Sequence, residues 1–298
     1  MNSQSMPVTA IIPTRNEARN LPTCLAALVG FTDVIVVDSG STDGTQEIAR
    51  RAGAKLVQFE WKGGFPKKRN WMLLNHSFRT PWVLFVDADE RVTREFRNEM
   101  AEKIDMGDYV GFWLNYNNHF QGRVLRHGIP QRKLALFRTD AGLFEKIEDP
   151  GWSNLDMEVH EHPILTGRVG EIRSPIDHLD FRGMYHFIQR HNEYSSWEAK
   201  RYLAIKGQNL PNLTSRQIIK YRHLDKWWYP FAYFVAAYFA KLGCLDGRAG
   251  FVYASLKCAY FLEIQEKLRE VQFEERGDAN NGQLMVLQPA KSPDNHVN

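Results

Sequence analysis

Short apolar segments alternate with amphipathic stretches through the first 90 residues, and this alternation restricts the fold more than any other feature. The apolar segments are residues 8–12, 34–38, 55–60 and 82–86. The spacing of leucines predicts a helix over 17–29 with Asn16 as its N-cap. Two more helices are predicted, one from the turn at 40–44 to about residue 53 and one over 67–78. Strand–helix–strand units of this kind predict an α/β fold, Rossmann-like, with a mostly parallel sheet flanked by helices.

Polar residues follow three of these predicted strands at the point where each strand ends. The first strand runs into PTRNE, the second into DSGSTDGT and the fourth into DADE. Ligands of parallel α/β sheets bind beyond the carboxyl ends of the strands. The three clusters are therefore predicted to converge on one edge of the sheet, although they lie far apart in sequence.

The acidic cluster at the fourth strand carries several like charges. Asp87, Asp89 and Glu90 lie within four positions, and such charges repel one another unless a positive group lies between them. Two carboxylates at positions i and i+2 can hold a divalent cation through oxygen, and a diphosphate is a natural further partner of that cation. Glu90 and Arg91 are predicted to be bystanders at the start of the next helix.

Neighbouring residues are those that a nucleoside diphosphate needs. Asp38, at the end of the second strand, can accept a hydrogen bond from a nucleobase N–H. Positive charge is supplied by Arg15, Lys67, Lys68 and Arg69. The sequence lacks the G-x-x-x-x-G-K-[ST] motif, so the pattern indicates a nucleoside-diphosphate site without a P-loop.

The remaining two thirds of the chain differ in character. Residues 109–181 contain further strand-like runs, and the pattern becomes helical from residue 182. The predicted organisation is a sheet-containing domain over 1–181, a helical region over 182–275 and a disordered tail over 276–298. The aromatic run at 227–240 is shorter than the roughly 20 residues of a membrane-spanning helix. Basic residues precede this run. The run could therefore pack in the core, form a dimer face or contact a membrane surface.

Composition narrows the class of protein and its compartment. A net charge of +3 is too balanced for a general nucleic-acid binder. The three cysteines are too few and too widely spaced for a disulfide framework or a zinc cluster, which favours a reducing, cytoplasmic environment. The first residues lack the basic and apolar pattern of a signal peptide.

The strand-end motifs carry a resemblance to a known family. IIPTRNEARNLPTCL, VVDSGSTDGT, GFPKKRN and LFVDADE resemble the signature of family 2 inverting glycosyltransferases with the GT-A fold. MEVHEH, IDHLDF, HNEYSSWEAKR and GCLDGRAGFVYASLKCAYF are similar to the subgroup that includes the lipopolysaccharide-core β-1,4-glucosyltransferases. The resemblance implies a nucleotide-sugar-binding catalytic domain and a helical region that serves acceptor, dimer or membrane contact.

The resemblance also implies roles for individual residues. Glu161 falls where the family carries its catalytic carboxylate; because this chain has His160-Glu161 in place of the usual Glu-Asp, Glu158 and Asp156 remain alternatives. The implied metal ligands for Mg²⁺ or Mn²⁺ are Asp87 and Asp89 of the DXD motif together with His178. The implied nucleotide-binding residues are Pro13, Thr14, Arg15, Glu17, Asp38, Ser39, Asp43, Lys68, Arg69 and Asp87.

These roles predict transfer of a hexose, from a UDP-linked donor, to a hydroxyl of a glycan or lipid-linked glycan with inversion. The setting would be lipopolysaccharide-core or other cell-surface polysaccharide synthesis, in the cytoplasm or on the cytoplasmic face of the inner membrane, by a monomer or homodimer. Two alternatives belong to other classes. A sugar nucleotidyltransferase would carry a glycine-rich basic loop after the first strand, which PTRNEARN lacks. A non-catalytic UDP-binding module would bind without turnover.

Overall fold

A mixed sheet forms the centre of the computed structural model, which describes residues 5–147, 162–180, 182–207 and 213–281. Within these residues the strand order is β3-β2-β1-β4-β8-β6-β11-β5, with β7 on β6 and a separate β9–β10 pair. The strands are β1 (Met6–Thr14), β2 (Phe31–Asp38), β3 (Lys55–Gln58), β4 (Trp82–Phe85), β5 (Glu90–Arg91), β6 (Gly111–Phe120), β7 (Arg123–Leu125), β8 (Arg132–Arg138), β9 (Gly142–Phe144), β10 (Pro163–Leu165) and β11 (Val169–His178). The helices are α1 (Leu21–Ala26), α2 (Thr45–Arg51), α3 (Lys68–Asn75), α4 (Arg94–Ile104), α5 (Met184–Ile205), α6 (Ser215–His223), α7 (Tyr229–Val235) and α8 (Gly247–Asn281).

Strands β3, β2, β1 and β4 are mutually parallel, as predicted. The register sets Thr14 of β1 opposite Asp38 of β2. The Val86 N–H, just past β4, donates to the Ile11 carbonyl at 3.0 Å. All three strands therefore end at one edge of the sheet, and the predicted convergence of the polar clusters at that edge is confirmed. The predicted α/β fold class with a helical C-terminal region is confirmed as well.

The far half of the sheet changes strand direction. β8 lies antiparallel between β4 and β6, whereas β11 is parallel to β6. The two-residue strand β5 pairs antiparallel with the end of β11, so that Glu90 faces His178. The Leu179 N–H also donates to the Asp89 carbonyl at 2.8 Å. This pairing fixes the end of β11 beside the acidic cluster.

The sheet and the C-terminal helices bury separate hydrophobic cores. Val8, Ile11 and Val36 are fully buried in the first core, as expected for strands covered on both faces. In the second core, Tyr202 of α5 and Ile264 of α8 belong to one buried cluster with Leu224. The π-helical turn Ala236–Ala240 and the 3-10 turn Gly243–Asp246 join α7 to α8.

Three element boundaries differ from the sequence predictions. The helix predicted over 17–29 is only Leu21–Ala26, and Asn16 does not cap it. Asn16 adopts a left-handed conformation (φ 56°), and its side chain accepts a hydrogen bond from the Thr42 N–H at 2.9 Å, so it joins two loops instead. The helix predicted over 67–78 ends at Asn75. Helix α8 continues through Asn281, past residue 276, although Gly277 and Asp278 are weak helix formers; the domain boundaries stay predictions.

A buried ion pair between α5 and the residue after β9 should contribute strongly to stability. Arg201, 1% exposed, donates to both carboxylate oxygens of Glu145 at 2.8 and 2.9 Å. We expect Arg201→Met to lower the free energy of unfolding by about 3–5 kcal/mol, because it leaves a buried carboxylate without its cation. Urea denaturation followed by circular dichroism measures this.

The control is Arg51→Met, which removes an arginine whose side chain is 79% exposed and pairs with Glu47 at 2.8 Å. Exposed pairs of this kind contribute only about 0–1 kcal/mol. Equal losses in the two variants would show that the buried pair has no special role.

Candidate active site

The loop after β2 is organised around the buried carboxylate of Asp38. One of its oxygens accepts hydrogen bonds from the Ser41 N–H and from Gln46, both at 2.9 Å. The other accepts from the hydroxyls of Thr14 and Ser41. Because a carboxylate offers about four lone-pair sites, all of them are in use. The predicted contact with a nucleobase stays a prediction, and it requires Ser41 or Gln46 to release Asp38.

The loops after β1 and β2 are tied together by their polar residues. Asp43 accepts from the Ala18 N–H at 3.0 Å, and the Glu17 N–H donates to Thr45 at 2.8 Å. Pro13 and Thr14 are buried at the end of β1, whereas Arg15 is exposed. The Ser39 hydroxyl is buried and has no hydrogen-bond partner among the described residues. Hydrogen bonds thus join the two loops, and the buried Ser39 hydroxyl stays available for a further hydrogen bond.

Two basic residues of α3 reach the same edge. Lys68 is buried, and its ammonium donates to the Thr14 carbonyl at 3.0 Å. Arg69 pairs with Asp87 at 3.2 Å while its guanidinium lies 5.3 Å from the centre of the Phe144 ring. These contacts place both predicted residues of α3 beside the ends of β1 and β4.

A lysine that the sequence analysis missed lies within the acidic cluster. The Lys133 ammonium donates to the carboxylates of both Asp87 and Glu90. Burial would raise the pKa of Asp87, but the charges of Lys133 and Arg69 hold it below its usual range. Burial raises the pKa of Glu90 to about 7, against the charge of Lys133. The positive group between these like charges is therefore a side chain of the protein itself.

Glu90 is not the bystander that the sequence analysis predicted. Its side chain is 1% exposed, and besides Lys133 it accepts the Asp87 N–H at 3.1 Å. Arg91, in contrast, is exposed and pairs with Asp177 at 2.8 Å. Glu90 therefore holds both the backbone of Asp87 and the lysine that neutralises it.

Three side chains at the end of β11 and after β4 form a group that could hold a metal ion. Ligand atoms of Asp89, His178 and Asp180 all lie within 4.8 Å of one another. His178 can donate from Nδ1 to the Asn118 amide oxygen at 3.3 Å, which leaves the Nε2 lone pair 3.8 Å from Asp89. Burial and the charge of Lys133 lower the pKa of His178 to about 4, so the imidazole is neutral as a ligand must be.

The donor set fits Mg²⁺ or Mn²⁺, which prefer carboxylate oxygens and accept an imidazole. Asp89 and His178 are brought together as predicted, and Asp87 lies outside this group of described residues. Asp180 was missed, although its position two residues after His178 could have indicated it. Two guanidinium nitrogens of Arg190 donate to the two carboxylate oxygens of Asp180, so Asp180 already has a cationic partner.

Other predicted and missed residues complete the edge. Glu17 forms an ion pair with Arg182, which the sequence analysis did not single out. The catalytic candidates Glu161, Glu158 and Asp156 lie outside the described residues, and their roles stay predictions.

The sequence and structure resemble known proteins. Residues 9–154 match the family described as Glycosyl transferase family 2. An uncharacterized glycosyltransferase of Rickettsia conorii is 28% identical over 283 residues, covering 88% of this chain and 90% of that protein. The lipopolysaccharide core biosynthesis glycosyltransferase LpsC of Rhizobium meliloti is 28% identical over 204 residues, covering 65% of this chain and 71% of LpsC. Among solved structures, S. aureus TarS is 17% identical with a TM-score of 0.44, covering 94% of this chain and 93% of that one.

Asp180 should contribute to metal binding. We expect Asp180→Asn to weaken Mn²⁺ affinity by about tenfold or more, roughly 1.4 kcal/mol, because one of three grouped ligands is lost. Electron paramagnetic resonance of free Mn²⁺ during titration of the purified protein measures the affinity.

The matched control is Asp177→Asn, one residue before His178, where the carboxylate pairs with Arg91 and Asn117 outside the metal group. This variant should bind Mn²⁺ as the wild type does. An unchanged affinity in Asp180→Asn would remove Asp180 from the ligand set.

Proposed function

We propose that this chain, whose residues 9–154 match the family described as Glycosyl transferase family 2, transfers a hexose from a UDP-sugar to a hydroxyl of a glycan or lipid-linked glycan, with inversion at the anomeric carbon. The observation that carries the proposal is the grouping of Asp89, His178 and Asp180 beside the basic residues Arg69 and Lys133 at one sheet edge. Such an edge can hold a nucleoside diphosphate and the charge that develops on it as it leaves.

The residues around the acidic cluster would bind the donor. Lys133 and Arg69 both contact Asp87, so a ribose or diphosphate that engages Asp87 meets two cations there. The ordered loops after β1 and β2, with the unpaired Ser39 hydroxyl, would hold the nucleoside. Asp89, His178 and Asp180 would hold Mg²⁺ or Mn²⁺, which supplies charge stabilisation for the departing diphosphate.

Inversion needs one carboxylate that takes the proton from the acceptor hydroxyl as it attacks. Glu161 is the proposed base, with Glu158 and Asp156 as alternatives. General-base catalysis of this kind contributes typically ~10²–10⁴-fold. Attack on an α-linked donor would yield a β-linkage.

The name of LpsC supports a setting in lipopolysaccharide-core synthesis, with other cell-surface polysaccharides as the wider class. An acceptor built on a lipid would require the enzyme to contact the membrane surface. Within the described residues, no helix has the length and apolarity of a membrane span.

The aromatic run at 227–240 is only partly core. Pro230 and Ala237 are buried, whereas Trp227, Phe231 and Phe239 are 71%, 51% and 57% exposed. Val235 is exposed too, and with Phe231 and Phe239 it forms a stripe at four-residue spacing. Four basic residues close to this stripe in sequence are exposed: Arg222, Lys226, Lys241 and Arg248. Aromatic side chains flanked by basic ones suit an anionic bilayer surface, and we propose that this face docks there.

Turnover with nucleotide-sugars tests the proposed reaction. We expect UDP release from a UDP-hexose, in a panel that also contains GDP-sugars, to depend on added Mg²⁺ or Mn²⁺. Asp89→Ala should slow release about a thousandfold if the metal contributes about 4 kcal/mol. Asp105→Ala, at an exposed carboxylate after α4, is the matched control and should have no effect.

The candidate bases are separated in the same assay with an acceptor present. Glu161→Gln should abolish transfer and leave UDP affinity unchanged; if Glu158→Gln or Asp156→Asn does this instead, the base is that residue. Release of pyrophosphate in place of UDP would identify a nucleotidyltransferase. UDP binding without any turnover would identify a binding module.

Flotation with lipid vesicles tests the proposed membrane contact. The double variant Phe231→Gln/Phe239→Gln should lose more than about tenfold in affinity for vesicles containing phosphatidylglycerol, because each buried ring contributes roughly 1.5–3 kcal/mol. Pure phosphatidylcholine vesicles should bind the wild type more weakly, since the basic residues would lose their anionic partners.

Leu74→Gln is the control, since Leu74 is 52% exposed on α3 and does not belong to the C-terminal helices. If the wild type is a dimer that does not bind vesicles and the double variant is a monomer, the face is a subunit interface and the membrane proposal is overturned.

A further inference from the structure

A pocket lies between the sheet and the C-terminal helices, outside the donor site described above. It is a small pocket that opens to solvent, with a cavity volume of about 40 Å³. Its wall includes Asn118 of β6, His127 of the loop after β7, Tyr233 of α7, Asp246 of the 3-10 turn, and Tyr253 and Lys257 of α8. Aromatic rings combined with a few polar groups are the usual lining of a small-molecule site.

The loop on one side of this pocket is held in place by Asp246. The backbone N–H groups of Arg126 and His127 donate to its carboxylate at 3.2 and 2.9 Å, and the His127 ring contacts it at 3.1 Å. The Gly128 N–H donates to the Lys241 carbonyl at 2.8 Å. The Asp246 carboxylate is occupied by these hydrogen bonds to the loop, so it is not available as the counter-charge of a cation in the pocket.

The cation in the pocket wall is Lys257. Its ammonium donates to His191 Nε2 at 3.0 Å and lies between the rings of Tyr253 and Tyr260, 5.7 and 5.5 Å from their centres. His191 donates from Nδ1 to the Phe187 carbonyl at 2.8 Å, so its Nε2 is a neutral acceptor. Among the residues whose side chains are described, no carboxylate forms a salt bridge with Lys257. Burial lowers the pKa of Lys257 to about 8, which leaves it mostly charged at neutral pH.

The pocket adjoins the group that could hold a metal. Asn118 lines the pocket and also accepts the hydrogen bond from His178. His191, which accepts the hydrogen bond from Lys257, is the next residue after Arg190 in the sequence, and Arg190 forms the ion pair with Asp180. A molecule seated against Lys257 would therefore lie beside the proposed site of sugar transfer, on the side of the C-terminal helices.

We propose that this pocket binds an anionic group, a phosphate or a carboxylate, carried by the acceptor glycan, with Lys257 as its counter-charge and the rings of Tyr233 and Tyr253 against the sugar. The proposal rests on the proposed glycosyltransferase function and names the chemical class of its acceptor. Pairing with a half-buried ammonium is favourable because charge-assisted hydrogen bonds are stronger where water is excluded.

Calorimetric titration of the full chain, without metal or nucleotide, tests this with three probes: glucose 6-phosphate, glucuronate and methyl glucoside. The wild type should bind at least one anionic sugar about tenfold or more tighter than the uncharged one. Preference for glucose 6-phosphate or for glucuronate distinguishes phosphate from carboxylate as the natural group. Lys257→Met should abolish the preference, and Lys257→Arg should restore most of it.

Lys206→Met is the matched control, since Lys206 is exposed at the end of α5, outside the pocket wall, and its ammonium lies 5.6 Å from the centre of the Tyr202 ring. UDP affinity, measured in parallel, should be the same in all variants; failure of the donor site would appear there and not in the sugar titrations. Equal affinity for charged and uncharged sugars, or a preference that survives Lys257→Met, would overturn the proposal.

A second measurement applies if Lys257→Met does not fold. Reductive methylation of the wild type with ¹³C-formaldehyde gives each lysine an NMR signal, and the signal absent from Lys257→Arg belongs to Lys257. Addition of glucose 6-phosphate or glucuronate should shift this signal, and methyl glucoside should not. No shift with either anionic sugar would overturn the proposal, as would a shift of equal size with inorganic phosphate, which would indicate an anion site without sugar recognition.

Discussion

The pairing of β5 with the end of β11 is the contact on which the candidate active site depends. It joins only two residues of each strand, yet it sets Glu90 opposite His178 and binds Leu179 to the carbonyl of Asp89. Without it, the carboxylates after β4 and the histidine at the end of β11 would belong to strands separated by β8 and β6. Three ligand atoms from distant parts of the chain lie together because two backbone segments share this short ladder.

Charge balance at this edge comes from side chains rather than from a ligand alone. Lys133 neutralises Asp87 and Glu90, and Arg190 neutralises Asp180. Buried carboxylates without such partners would shift towards their protonated forms. Asp89 is the exception, because burial and the nearby charge of Asp180 raise the pKa of its carboxyl well above the usual value. A metal and a diphosphate would therefore enter a site in which most charges are already paired, and binding would exchange one set of partners for another.

The alternation of apolar and amphipathic segments was sufficient to predict the parallel half of the sheet, because strands that alternate with helices can form few other folds. It was also sufficient to bring the polar ends of β1, β2 and β4 together. Lys133 could not be predicted in this way. Because β8 runs antiparallel to β4, the first residues of β8 reach the edge of the sheet that carries the candidate active site. A short apolar run does not predict the direction of its strand. Asn16 was misassigned because its side chain serves a loop across the sheet edge, a long-range contact that helix spacing does not reveal. The segment with Glu161 lies outside what the structure describes, so its role stays a prediction.

The arginines of α5 and the residues just before it affect how the chain can be divided. Arg182, Arg190 and Arg201 pair with Glu17, Asp180 and Glu145 respectively. A cut at residue 181 would separate each arginine from the carboxylate that it neutralises. The boundary between residues 181 and 182 thus marks a change of secondary structure, while electrostatically the two parts form one unit. A shortened catalytic fragment would need α5 to remain attached.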